Sequence, residues 1–188
     1  VDFYKKAFVQ LDPATMSGPT MIKVLETYKK LKPFTDKNAA GREWNLATSM
    51  VINGKAAMQF MGDWAKGEFL AAGKIPGKDF LCVAAPGTAN AFTFNIDSFA
   101  MFKLKDKNAV KGQNDLASTL MSPAFQEVFN LNKGSIPART DLAMDKFDEC
   151  GKKSAVDFKA TAAKGGLVPS WAHGMAMKSA TQGAFFDV

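Results

Sequence analysis

The chain has 188 residues, 47% hydrophobic and 22% charged, with 15 Gly and 8 Pro, the composition of a globular protein long enough for one substantial core or two small ones. No apolar run approaches the ~20 residues of a membrane-spanning helix. The net charge of +6 is spread over scattered lysines, which argues for a solvated surface and against a nucleic-acid interface, where charge is gathered in a stripe among exposed aromatics.

The chain opens on Val1 and closes on an apolar stretch ending in Val188, and both ends read as cuts from a longer mature protein. Met21, Val24, Leu25, Tyr28 and Leu31 form the stripe of an amphipathic helix that stops at Lys32-Pro33. Ser17 is its expected cap, with Pro19 in the first turn, where a missing N–H is tolerated. A second helix is expected over Trp44 to Ile52, ended by Asn53-Gly54. Ala56 to Met61 then reads as a short buried strand and Trp64 to Ala72 as a helix. Asp79 to Ala84 reads as another strand, closed by Pro86-Gly87. Residues 91–102 alternate Phe92, Phe94 and Ile96 and predict two strands, or one bent at Asn95-Ile96-Asp97. Val110 to Met121 is expected to be helical, and Ser122-Pro123 restarts a helix carrying Phe125, Val128, Phe129 and Leu131 on one side. Lys133-Gly134 ends it, and Ser135-Ile136-Pro137 must be extended. From Asp141 onward the pattern is mostly helical, broken at Gly165-Gly166 and Pro169-Ser170. Short strands alternating with helices indicate an α/β fold.

The two cysteines, Cys82 and Cys150, have no second Cys or His at ligand spacing. No metal site is expected, and they are either buried thiols or one disulfide. The single histidine, His173, has no serine in a nucleophile-elbow pattern to serve. Neither a phosphate loop nor a dinucleotide fingerprint occurs, so no cofactor is expected. An enzyme is the weaker reading; its one form worth stating is a sugar-active hydrolase with Asp97 or Asp63 as acid or base.

A binding reading uses residues that are wasted in merely structural turns. Trp64 follows the expected strand directly, Asn95 and Asp97 sit at the strand break, Lys133 precedes Gly-Ser-Ile-Pro, and His173 precedes Gly174. A flat indole matches the C–H face of a pyranose. A carboxylate, an amide, an ammonium and an imidazole can satisfy its rim of hydroxyls. Each residue also has a plain alternative. Trp64 can lid a core, Asn95 and Asp97 can close a turn, Lys133 can complement a helix C-terminus, and His173 can be structural.

Four blocks carry a resemblance: GKAAMQFMGDWAKGEF, FTFNIDSFAMF, FQEVFNLNKGSIPART and VPSWAHGMA. In that order they resemble the later half of periplasmic sugar-binding proteins of ABC importers, most closely the glucose-binding subgroup of the solute-binding family that includes maltose-binding protein. The resemblance implies a two-lobed, type II periplasmic-binding fold that closes on sugar by hinge motion. It implies residues 1–88 in the carboxy-terminal lobe, 89–139 in the amino-terminal lobe and 140–188 back in the first. It further implies a non-catalytic, monomeric carrier that binds a monosaccharide, glucose above others, in an interlobe cleft and delivers it to membrane permease subunits. Trp64 would be the stacking platform, with Asn95, Asp97, Lys133 and His173 holding hydroxyls. Partner aromatics would come from a part of the protein outside this chain. The periplasmic location that the resemblance implies permits a Cys82–Cys150 disulfide.

Overall fold

The computed structural model describes residues 1–187 and divides into two compact units. It has mixed helical content with a small parallel sheet. The first unit comprises Val1–Arg42, Pro86–Ile96 and residues 157–187. Helix α1 (Asp2–Tyr4) runs on into a π-helical turn, Lys5–Val9. Asp12 caps α2 (Pro13–Met16) by accepting from the Thr15 N–H at 2.8 Å. Helix α3 (Pro19–Lys29) follows the predicted stripe, but its cap is Gly18. Ser17 instead ends α2, its hydroxyl donating to the Pro13 carbonyl at 2.8 Å. The hydroxyl closes the preceding turn because a helix lies immediately upstream, which the stripe of α3 gave no sign of.

Strand β1 (Phe92–Phe94) pairs in parallel with β2 (Leu167–Pro169), Phe92 opposite Leu167 and Phe94 opposite Pro169. The chain reaches β2 from α8 (Glu149–Ala163) through Gly165-Gly166. Gly165 takes φ +69°, and a Cβ on Gly166 would lie 2.4 Å from the Asn90 carbonyl oxygen. Only glycine lets α8 turn so closely onto the strand. Val168 is buried at the centre of β2, and Phe92 meets Phe158 of α8 edge-on, with centroids 5.4 Å apart. The core of this unit gathers Ala7, Phe8 and Met21 against Tyr4, Met16, Trp171, Met177 and Phe185. Trp171 stacks on Phe8 at 5.6 Å and touches Phe185, which belongs to α9 (Ser179–Phe186). The Tyr4 hydroxyl donates to the Pro169 carbonyl at 2.8 Å and accepts from the Trp171 N–H at 2.9 Å. Burial raises the Tyr4 hydroxyl above its usual range, opposed by that N–H.

The second unit comprises Glu43–Ala85 and Asp97–Val156. It contains α4 (Trp44–Ile52), α5 (Ala65–Ala71), α6 (Lys107–Leu120), α7 (Pro123–Lys133) and the first half of α8. Asp106 and Ser122 cap α6 and α7 by accepting from the N–H groups of Ala109 and Phe125. Phe69 of α5 stacks on Phe80 at 4.3 Å. Cys82 and Cys150 form a disulfide with Cα atoms 5.6 Å apart, joining the 78–85 segment to the start of α8.

Two predicted strands do not form. Residues 56–61 enter no ladder, and among the described residues 79–84 contribute only the bridge Pro76–Phe80. Residues 95–102 likewise lie outside β1. Alternating apolar residues identify which side chains share a face, but a strand also needs a neighbour for its N–H and C=O groups. Segment 56–61 is held by a side chain instead. Buried Thr48 donates to Gln59 Oε1 at 2.7 Å, while Gln59 Nε2 donates to the Trp44 carbonyl. Met58, Phe60, Leu81 and Val83 remain exposed. Among the described residues from Asp141 onward, helix is confined to α8 and α9, because the Gly-Gly and Pro-Ser breaks leave room for β2 between them.

Candidate functional site

In the second unit, two turns are locked together by backbone contact. Helix α5 starts just after Asp63-Trp64, and α7 ends at Lys133-Gly134. A Cβ on Gly67 would fall 2.7 Å from the Lys133 carbonyl oxygen, and one on Gly134 would fall 2.6 Å from the Gly67 nitrogen. Gly134 also takes φ +89°, the left-handed cap that closes α7. The first turn of α5 and the last turn of α7 therefore touch through two glycines, and any side chain at either would separate them. The extended segment after Gly134 is then tied down at each step. Ser135 donates to Asn130 Oδ1 at 3.1 Å, the Ile136 N–H to Asp63 Oδ2 at 3.0 Å, and the Ala138 N–H to Gln126 Oε1 at 3.0 Å. Asn130 and Gln126 are both buried, so buried polar groups position this loop rather than an apolar plug.

Trp64 is partly buried, and its ring folds back over Gly62, where a Cβ would lie 2.0 Å from the indole. Lys133 forms an ion pair with Asp97, and its ammonium also lies 5.7 Å from the centre of the Phe129 ring. The structure thus joins Asp97 to Lys133, and the glycine contact sets the Lys133 turn against the Trp64 turn. Lys66, on the buried side of α5, pairs with Asp148 at 2.8 Å. Asp148 Oδ1 also accepts from the Gly151 N–H in the first turn of α8. Removing either member of this pair would leave a buried or half-buried charge uncompensated.

Burial raises the Asp63 carboxyl above its usual range; the Ile136 N–H and the charges of Lys66 and Lys133 pull it back only in part. The sign of the pH effect follows. Below the ordinary value of 3.8 the carboxyl is protonated, folded or unfolded, and costs nothing. Between that value and the higher folded one, the native state holds a proton that the unfolded chain has released, so stability falls as pH rises; above the folded value the cost is constant. Asp63→Asn keeps the acceptor and removes the charge. Its melting temperature, relative to the parent, is expected to rise as the pH increases above 3.8 and then to level off once the folded carboxyl has ionised. Paired thermal scans across that range check this, and an advantage that is flat or largest in acid would be the contrary result.

In the first unit, Asn95 and His173 stand at one end of the parallel pair. Asn95 follows β1 directly, and Ser170 follows β2, with the Ser170 N–H donating to the Phe94 carbonyl at 2.7 Å. Parallel strands bring their carboxyl ends together, the edge of an α/β sheet where ligands are ordinarily held. His173 is exposed, and its Nδ1 lies 2.7 Å from the buried Ser170 hydroxyl. Gln182 of α9 donates to the Ala172 carbonyl at 2.8 Å, fixing the turn that carries the imidazole. Asp63 was named in sequence only as a hydrolase's acid or base, and Ser170 and the Gly67–Gly134 contact were not singled out at all. The i, i+3 spacing of Ser170 and His173 was the only local signal for any of them.

Among the described residues no group of three or more His, Cys, Asp or Glu side chains could hold a metal, and no helix is long and apolar enough to cross a membrane. No protein-family model matches the chain. It is 54% identical over 187 of its 188 residues to a probable sugar-binding periplasmic protein of Brucella suis biovar 1. The chain is homologous to probable sugar-binding periplasmic proteins. A second, from Rhizobium meliloti, is 51% identical over 187 residues, and an uncharacterized ABC transporter extracellular-binding protein of Pyrococcus horikoshii is 35% identical over 181. The chain spans 44%, 45% and 39% of the lengths of these three relatives.

Proposed function

We propose that this chain belongs to the substrate-binding component of a carbohydrate ABC importer of the periplasm. It binds one monosaccharide reversibly, with glucose as the proposed ligand, and delivers it to membrane permease subunits without chemical change. The observation that carries this reading is the Asp97–Lys133 pair on the turn packed against that of Trp64. A pyranose hydroxyl both donates and accepts, so a carboxylate beside an ammonium serves two neighbouring hydroxyls, while the indole takes the C–H face. Asn95 and His173, at the carboxyl end of the sheet, are proposed as further sugar-binding residues. The names of the relatives support a sugar as ligand and a transporter as partner. The assignment of residues 1–88 and 140–188 to one lobe and 89–139 to the other is proposed with it, as is a monomeric state.

A thermal-shift panel with D-glucose, D-galactose, D-mannose, D-xylose and L-arabinose tests the reading, using the protein that carries this chain at its native length. Ligand that binds only the folded state stabilises it by RT ln(1 + [L]/Kd), about 2.7 kcal/mol at a hundredfold excess over Kd. Glucose is expected to give the largest rise and to be recovered intact. A flat panel, or hydrolysis of an aryl glucoside, would overturn the proposal.

A further inference from the structure

Asp63 is the residue on which the two turns of the second unit meet. Its side chain comes from the Gly62-Asp63-Trp64 turn, directly before the indole. Its Oδ2 accepts from the backbone N–H of Ile136, three residues after Lys133. These partners are 73 residues apart in sequence. The same meeting point is fixed a second time by the Gly67–Gly134 contact, where a Cβ on Gly134 would also lie 3.3 Å from the Asp63 carbonyl oxygen. A carboxylate in this place carries a desolvation cost, and a surface turn could be closed without it. Two neighbouring lysines face it: Lys66 from α5, already paired with Asp148, and Lys133 from α7, already paired with Asp97. The contact that Asp63 supplies, and neither lysine can supply, is the acceptor for the Ile136 N–H.

We propose that Asp63 is a positioning residue: its bond to the Ile136 backbone holds the Trp64 ring and the Lys133 ammonium at a fixed separation, so that one ligand can meet both. The proposal rests on the sugar-binding reading for its functional consequence but not for its geometry. Asp63 itself touches no ligand. It acts through the turn it shares with Trp64 and through the loop that follows Lys133. The acceptor is required and the charge is not, because an N–H needs only a lone pair.

The test compares Asp63→Leu, which keeps the bulk and removes the acceptor, with Asp63→Asn, which keeps the acceptor and removes the charge. Both are made in the native-length protein and in a Trp64→Phe background. Two quantities are read well below either melting temperature: the tryptophan emission that disappears with Trp64→Phe, and the calorimetric affinity for D-glucose. Asp63→Leu is expected to shift the Trp64 emission and to weaken glucose binding about 10- to 100-fold, the scale of a lost bond to a charged acceptor. Asp63→Asn is expected to leave the emission at the parent position and the affinity within about threefold. Should Asp63→Leu fail to fold, Asp63→Ala carries the same comparison. Unchanged emission and affinity in the leucine variant, or equal damage in the asparagine variant, would overturn the proposal. If the parent binds no glucose yet the leucine variant moves the Trp64 emission and asparagine restores it, the positioning role stands and the sugar reading falls.

Discussion

Replacing Trp64 by alanine is expected to weaken glucose binding about 10- to 100-fold, and to do so with little loss of stability. The indole buries on the order of 1.5–3 kcal/mol of apolar surface when a sugar covers it, and every 1.4 kcal/mol is a factor of ten in affinity. In the folded protein the ring is partly buried and lies over the backbone of Gly62, so its removal leaves no closed cavity in a packed core. The other tryptophans provide the contrast. Trp171 stacks on Phe8 and touches Phe185 and Phe186, so Trp171→Ala should cost about 3–5 kcal/mol of stability. Trp44 is 39% exposed, and Trp44→Ala should alter neither quantity much. Calorimetry and thermal scans on the three variants separate the roles. A large drop in melting temperature for Trp64→Ala with unaltered affinity would make it a structural lid.

Loss of the Cys82–Cys150 bond is the second large effect. The bridge spans 68 residues of sequence, and chain-entropy reasoning for a loop of that size gives about 4 kcal/mol of stabilisation through the unfolded state. There is a local consequence too. Segment 78–85 is otherwise held near its start, by the Phe69–Phe80 stack, the Pro76–Phe80 bridge and the hydrogen bonds that tie Lys78, Asp79 and Phe80 to Ile75 and Gly77. The double substitution Cys82→Ser/Cys150→Ser is expected to lower the melting temperature by roughly 10 °C, at about 2–4 °C per kcal/mol for a chain of this size. Reduction of the parent with dithiothreitol should produce the same fall. The residues of the Trp64 and Lys133 turns keep their own contacts, so glucose affinity measured at low temperature should change little. Unaltered stability after complete reduction would contradict this account of the bridge.

What could be read from sequence was the local part of the fold. Helix α4 matches its predicted span, α6 overlaps its expected one, and α3 and α7 follow their stripes, because 3.6-residue periodicity and the Pro, Ser and Gly signals at the ends act over a few residues. Strands depend on partners elsewhere in the chain. Phe92 and Leu167 pair across a separation no local pattern encodes, whereas 56–61 and 79–84 carry the alternating pattern and form no ladder. The site shows the same division. Trp64, Asn95, Asp97, Lys133 and His173 stood out because each is costly or underused in an ordinary turn. Nothing in the sequence revealed that Asp97 answers Lys133, that Ser170 holds His173, or that a half-buried carboxylate at 63 meets the backbone of Ile136. Gly67 was unremarked as well, since a glycine inside a helix signals close approach only when the approaching backbone is known.

The most direct measurement is a crystal structure of the native-length protein grown with D-glucose. It should place the sugar's C–H face on the Trp64 indole, with Asp97 and Lys133 within about 3 Å of neighbouring hydroxyls. A glucose molecule seated away from Trp64, or one that leaves Asp97 and Lys133 bonded only to each other, would contradict the account.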